Sequence, residues 1–320
     1  MSQTPFLHVS VLRQEAVDFL AELPGPRVVD GTLGGGGHSQ TLLEQNPSCQ
    51  ILGIDRDPAA LQAATERLAP YGERFHAWHG TFSQMEEAAR ENGWDHVDGI
   101  LLDIGVSSPQ IDTPERGFSF RFDAPLDMRM DPSGTDATAA DLLNTLSQKE
   151  LADIFWKYGE ERFSRPVARA IVERRENRPW STTAELAQLL ERIIGWPHQH
   201  GLHPATRVFQ ALRIAVNHEL DELEEALRAA ERLLSPDGRL VVISFHSLED
   251  RIVKHFLQHA ALSCICPPTL PCTCHKQVTF VPLTKKPVTA TEEELSRNSR
   301  SSCAKLRAAR RTDAPPEFPR

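Results

Sequence analysis

Apolar residues along this chain follow two rhythms. Short, often β-branched runs end repeatedly in a carboxylate: Arg27-Val-Val-Asp30, Ile51-Leu-Gly-Ile-Asp55 and Gly99-Ile-Leu-Leu-Asp103. They are too short for helices and lack polar alternation, as expected of strands buried on both faces of a parallel sheet. Phe75–His79 and Arg239–Phe245 read as two more strands. Between the runs the spacing becomes helical. Ser10–Leu23 carries Val11, Leu12, Ala16, Phe19, Leu20 and Leu23 as a stripe, and Pro24-Gly25-Pro26 stops it. Gln40–Gln45 suits a helix, and Arg56-Asp57-Pro58 opens another through Leu61 and Leu68. This alternation predicts an α/β protein with a doubly wound sheet, whose ligands lie beyond the carboxyl ends of the strands. Asp30, Asp55 and Asp103 share that edge.

After Asp103 the rhythm breaks. Residues 104–132 are rich in Gly, Ser, Pro and Asp, the composition of a long structured loop, and 138–203 reads as helical. Ser147-Gln-Lys-Glu150 and Thr182-Thr-Ala-Glu185 fit the capping-box pattern. A helical subdomain inserted into the α/β core accounts for this, with core over 1–110, loop and helical insertion over 111–205, core again over 206–312 and a flexible tail over 313–320. The core resumes with a helix from Thr206 to Leu234, striped by Val216, Leu220, Leu223 and Leu227. Ser235-Pro-Asp-Gly238 forms a turn. A strand near Val278–Leu283 and a basic segment, Arg297–Arg311, close the chain.

Charged residues make up 25% and hydrophobic ones 40% of 320 residues, enough for a sizeable core. No apolar run is long enough to cross a membrane, and the first residues are too polar and acidic for an export signal. A cytoplasmic protein with reduced cysteines is expected. The net charge of −9 excludes a general nucleic-acid-coating protein, so any RNA must meet a local positive face.

Chemistry concentrates at the strand ends. Gly31-x-x-Gly34-x-x-Gly37 is neither the dinucleotide fingerprint nor a phosphate loop, which needs a Gly-Lys-Ser/Thr. A neutral or cationic nucleoside fits better than a triphosphate. A nicotinamide-dependent dehydrogenase is the competing enzyme class, with the glycine spacing against it. A ribosome-assembly protein that keeps a nucleoside pocket without catalysis is the other. Asp55 is placed either to accept hydrogen bonds from ribose hydroxyls or to cap the helix at Pro58. Asp30 either orders the glycine loop or faces a cationic ligand. Asp103, Ser107, Ser108 and Gln110 surround a sharp turn where cofactor and acceptor should meet. The Phe118–Phe122 loop either stacks on an unpaired base or forms a satellite core. Ser244, His246 and Asp250 lie too close in sequence for a hydrolase triad, and no Gly-x-Ser-x-Gly elbow exists. Cys264, Cys266, Cys272 and Cys274 (with His275) either hold tetrahedral zinc or sit in a loop that prolines alone stiffen; no catalytic metal is assigned. Arg162, Arg165 and Arg169, then Arg174, Arg175 and Arg178, either bind phosphate or pair with the intervening glutamates. Arg297–Arg311, with no acid, is the better phosphate candidate.

Four signatures in order carry a resemblance: Asp30-Gly-Thr-x-Gly-x-Gly-Gly-His38, Leu102-Asp-x-Gly-Val-Ser-Ser-Pro-Gln110, Glu115-Arg-Gly-Phe-Ser-Phe120 and Pro125-Leu-Asp-Met-Arg-Met-Asp131. Tyr158-Gly-Glu-Glu-Arg-Phe163, His203-Pro-Ala-Thr-Arg207 and Ile243-Ser-Phe-His-Ser-Leu-Glu-Asp-Arg251 extend it. Over residues 6–312 the chain resembles the ribosomal RNA small-subunit methyltransferase H family. That resemblance implies a class I, Rossmann-like methyltransferase core, S-adenosyl-L-methionine as cofactor, and a cytosine N4 in the decoding region of 16S rRNA as target. It implies cofactor contacts at Gly36, Gly37, His38, Asp55, Phe82, Asp103 and Gln110. The small ribosomal subunit is the expected partner, no membrane is involved, and a homodimer is compatible. The chain lacks the Asp/Asn-Pro-Pro-Tyr/Phe motif of many amino-methyltransferases. Asp103 or a nearby backbone carbonyl is then the first candidate to accept the N4–H bond, with Ser108, Asp127 and His246 behind it.

Overall fold

The computed structural model describes residues 10–196, 201–267, 269 and 271–317. They form two compact units, one within 10–105 and 220–317 and the other within 106–219.

The first unit is built on one sheet. Its strands are β1 (Arg27–Asp30), β2 (Gln50–Asp55), β3 (Phe75–His79), β4 (Val97–Asp103), β5 (Leu234–Ser244), β6 (Phe280–Pro282) and β7 (Lys305–Arg311). Their order is β3-β2-β1-β4-β5-β7-β6. The first five are parallel, and β7 runs antiparallel between β5 and β6. The period of two explains why both faces are apolar. Val29, Leu52, Ile54, Ile100, Leu102, Leu240 and Val242 enter one core layer, while Val28, Ile51, Leu101, Val241 and Ile243 enter the other. Helices α1 (Arg13–Ala21), α2 (Gly37–Gln45) and α3 (Pro58–Leu68) contribute Leu20, Leu42 and Leu68 to the second layer, and α4 (Met85–Glu91) contributes Met85 to the first.

The Ser235–Gly238 turn lies inside β5 as an irregularity. Val97 pairs with Leu234 and Gly99 with Arg239, so the intervening residues loop out, with Asp237 at φ 66°. The strand expected near 278–283 is β6. The last residues differ from the flexible tail expected over 313–320: Glu317 pairs with Lys276 and with His259, the latter at 2.9 Å. Positions 318–320 lie outside the described residues.

The second unit holds helices α5 (Ser108–Asp112), α6 (Ala139–Thr145), α7 (Gln148–Gly159), α8 (Ser164–Arg175), α9 (Thr183–Ile194) and α10 (Thr206–Asn217). Ser147 caps α7 and Thr182 caps α9, as their sequences require. Phe155, Ile171, Trp180, Leu190, Val208 and Leu212 form its core. The expected joins at 110/111 and 205/206 therefore move to 105/106 and 219/220. The cause lies at His218. Its φ of 52° breaks the expected Thr206–Leu234 helix into α10 and α11 (Glu219–Leu233). The stripe of α10 is then free to join the helical core through Val208, Leu212 and Val216, while Leu223 and Leu227 of α11 pack on the sheet. Helices α12 (Ser247–Ala260) and α13 (Glu292–Arg297) complete the first unit. No described helix is long and apolar enough to cross a membrane.

Candidate active site

Parallel pairing aligns the carboxyl ends of β1, β2 and β4, which brings Asp30, Asp55 and Asp103 to one edge of the first unit. Beyond β1 the chain turns through the glycine loop into α2. Gly36, at φ 75°, is the N-cap of α2, a conformation that a Cβ would strain, and Gly37 is the first helical residue. Among the described residues no side chain caps this helix, and no acid stands in its first turn. Its positive end therefore remains for an anionic ligand group.

The three carboxylates have different surroundings. Asp30 is buried and takes the Ser39 hydroxyl at 2.6 Å on Oδ2 and the Thr32 N–H at 3.4 Å on Oδ1. Burial raises its carboxyl above the usual range, against the Ser39 hydrogen bond. Of its two expected roles the structure shows the loop-ordering one. Asp55 does not cap α3; Asp57 does, accepting from Ala59 N at 3.1 Å. Asp55 instead holds the backbone N–H groups of Gly34 at 2.8 Å and Asp57 at 2.9 Å, which ties β2 to the glycine loop. Burial pushes its carboxyl up to about 6 despite both hydrogen bonds. Phe82, half-buried, follows β3 in a single 3-10 turn.

Asp103 is the most informative. Its backbone N–H donates to Thr32 Oγ1 at 2.6 Å, and its Oδ2 lies 3.3 Å from His38 Nε2. Asp103 Oδ1 and His38 Nδ1 are buried and, among the described residues, have no hydrogen-bond partner. Such orphaned polar atoms are costly unless a ligand meets them. Together with the uncapped α2 terminus and the Asp55 carboxylate, they fit a nucleoside that carries a zwitterionic amino-acid end. Thr32 and Ser39 escaped the sequence reading; a hydroxyl on each side of the glycines was the available signal.

His246 has a local job. It is the N-cap of α12: its Nδ1 accepts from Glu249 N, while Glu249 accepts from the Phe245 and His246 N–H groups at 2.8 and 3.2 Å. Asp250 pairs with Arg307 at 2.7 Å. Neither is arranged as a triad member.

In the second unit, Gln110 closes a capping box with Ser107, and half-buried Ser108 is the first residue of α5. Both oxygens of Asp127 are held by the Arg129 guanidinium at 2.8 Å. Burial alone would raise this carboxyl, but the Arg129 hydrogen bonds win and keep it below the usual range. Asp127 thus staples its own loop. Gly117, at φ 72°, lies under that loop, where a Cβ would meet Pro125 O at 2.2 Å. Phe118 and Phe120 join the helical core, and Phe120 stacks on His203 with ring centres 4.3 Å apart. Of that aromatic loop only Phe122 is exposed among the large apolar side chains.

The positive segments are also redistributed. Arg297–Arg311 is not one continuous exposed tract, because its second half is β7, an interior strand. Arg307 pairs with Asp250, Arg310 with Asp237, and Arg311 is buried against the carbonyls of Glu231 and Thr279. Arg297 pairs with Glu293 at 2.7 Å. In the other run, Arg174 and Arg178 converge on Glu185, Arg175 donates to the Leu143 and Leu146 carbonyls, and Arg169 pairs with Glu173. Arg162 and Arg165 are exposed and, among the described residues, make no ion pair. Arg162 lines a cleft of about 320 Å³ with Phe163, Trp196, Leu202, His203 and Arg207. Trp196 is 61% exposed, and Trp156 on α7 is 62% exposed. The sequence reading missed these tryptophans, although Trp156 falls off the apolar stripe of Leu151 and Phe155.

The MraW methylase family model matches residues 5–312. A protein from Trichlorobacter lovleyi, named ribosomal RNA small subunit methyltransferase H, is 52% identical over 95% of this chain and 98% of its own length. Namesakes from Geotalea uraniireducens and Syntrophotalea carbinolica are 52% and 50% identical, covering 95% and 97% of this chain and 98% and 100% of their own.

Proposed function

The chain belongs to the MraW methylase family, and we propose that it carries a methyl group from S-adenosylmethionine to the exocyclic N4 of a cytidine in the decoding region of 16S ribosomal RNA. It is an rRNA methyltransferase whose methyl donor is S-adenosylmethionine. The observation that supports the acceptor reading is the half-buried Asp103, with one oxygen positioned by His38 and the other, itself buried, without a partner among the described residues.

When bound, the cofactor supplies an activated methyl on a sulfonium, so most of the catalytic task is alignment. The glycine loop and the α2 terminus suit its amino-acid end, and Asp55 suits the ribose hydroxyls. The N4 lone pair is delocalised into the cytosine ring. An acceptor for N4–H favours the pyramidal nitrogen that can attack, and Asp103 Oδ1 is the candidate acceptor for that proton. His38 is a positioning residue that fixes the Asp103 carboxylate. The target base must be unpaired or flipped from its stack.

We place RNA contacts on the exposed Arg162, Arg165 and Arg207 with Trp196 beside them, since guanidinium forks bind phosphates and an indole stacks on bases. An rRNA target puts the work in the cytoplasm. The test is label transfer from methyl-labelled S-adenosylmethionine to small subunits, to free 16S rRNA and to large subunits, all from cells lacking this enzyme. Label confined to small-subunit substrates is expected; label in large subunits alone overturns the reading.

A further inference from the structure

We propose that Cys264, Cys266, Cys272 and Cys274 form a closed tetrathiolate site for one zinc ion, which staples the segment between α12 and β6. One ligand atom from each cysteine falls in a cluster whose members all lie within 4.8 Å of one another. The Sγ–Sγ separations are 3.4 Å for Cys264–Cys272, 3.7 Å for Cys272–Cys274 and 3.9 Å for Cys264–Cys274. A tetrahedron with metal–sulfur bonds of about 2.3 Å has edges of about 3.8 Å. A disulfide needs about 2.04 Å, and all four thiols are free.

The backbone around the cluster is arranged for charged sulfur. The N–H of Cys266 points at Cys264 Sγ at 3.4 Å, that of Thr273 at Cys266 Sγ at 3.4 Å and that of Ile265 at Cys274 Sγ at 3.5 Å. Amides aimed at metal-bound thiolates offset their charge and fix their orientation. Neutral thiols, weak acceptors, gain little from three such donors.

Apart from the Lys276–Glu317 pair at its far end, the loop has no core to hold its shape. From Leu262 to His275 no described residue is buried and none belongs to a helix or strand. Prolines such as Pro267 and Pro271 restrict φ but cannot gather four sulfurs from two separate Cys-x-Cys pairs. A segment without a core is held by a cross-link or a metal. Four protein ligands leave no open position, so the ion is structural rather than catalytic. A multi-iron cluster is disfavoured, because it divides the four thiolates among two or four iron atoms and spreads the sulfurs farther apart.

The test uses the full-length, untagged enzyme, purified under reducing conditions without chelator and incubated with one equivalent of Zn²⁺. Elemental analysis should find near one zinc per chain. Cys266→Ser/Cys272→Ser should lose it, while Cys49→Ser/Cys303→Ser keeps it, with affinity for S-adenosylhomocysteine unchanged in both. Should the first variant not fold, cobalt(II) exchanged into the unaltered enzyme decides: thiolate-to-cobalt charge-transfer bands and intense tetrahedral d–d bands are expected. Protein that stays metal-free, zinc retained by the folded Cys266/Cys272 variant, iron in place of zinc, or a cobalt spectrum without thiolate bands overturns the proposal.

Discussion

His38 Nε2 stands 3.3 Å from Asp103 Oδ2, which leaves Asp103 Oδ1 buried and turned to whatever occupies the strand edge. Asp103→Asn keeps the shape and removes the charge and the proton acceptor. Its single-turnover methyl transfer should fall roughly 100-fold, the scale of a lost acid–base group, with an unchanged melting transition. A full rate in a folded Asp103→Asn enzyme removes Asp103 from the chemistry. His38→Ala should have a smaller effect, since it frees the carboxylate without deleting it.

Asp55 gives two pH dependences of opposite sign. Its carboxyl is raised by burial to about 6 from an ordinary 3.8. The protonated form is therefore favoured in the folded free protein, and the stability this contributes is present below 3.8 and lost as pH rises through about 6. Cofactor binding goes the other way, because the ionised carboxylate accepts better from ribose hydroxyls: affinity should rise with pH through about 6. Asp55→Asn should flatten both steps. Asp55→Ala should cost roughly 1.5–3 kcal/mol of cofactor affinity, the scale of a hydrogen bond to a charged group. Calorimetry across the pH range checks both signs, and an unaltered affinity for Asp55→Ala excludes the ribose contact.

The sheet was legible because its strands are apolar runs that end in Asp, and the capped starts of α7 and α9 were legible from Ser147 and Thr182. Asp30, Asp55 and Asp103 came together because parallel pairing leaves no other place for strand ends. What could not be read depended on partners distant in sequence. Arg307 and Arg310 look like free charge until β7 is seen beside β5, with Asp250 and Asp237 within reach. Asp127, a second-line acceptor candidate from the sequence, gives no sign there that the Arg129 guanidinium holds both its oxygens. The break at His218 carries no Gly or Pro to announce it, so the unit boundary was misplaced.

RNA binding should separate the arginines. Replacing Arg162, Arg165 and Arg207 with Ala should weaken RNA affinity across sequences and lower the slope of log K against log salt by about one for each phosphate no longer neutralised. Trp196→Ala should weaken affinity by roughly 1–3 kcal/mol without that change in slope. Arg307→Ala and Arg310→Ala should leave the slope alone and lower stability instead. A reduced slope for the Arg307/Arg310 pair and none for the first set places the RNA on the other unit.

Asn217 secures the loop of the second unit from the end of α10. Its buried amide accepts from Met130 N and donates to Met128 O, each at 2.8 Å. Asn217→Ala leaves those groups unmatched, at a cost of about 1–3 kcal/mol for each one that stays buried without water. Urea unfolding should show a lower midpoint; an unshifted midpoint means water replaces the amide.

The central claim is the atom that receives the methyl group. Small subunits from cells lacking this enzyme are incubated with it and with S-adenosylmethionine bearing a deuterated methyl, the rRNA is digested to nucleosides, and the label is located by mass spectrometry against synthetic standards. The account predicts deuterated N4-methylcytidine, abolished or sharply reduced with Asp103→Asn. Label on a ring carbon, on a ribose oxygen or on another base contradicts it.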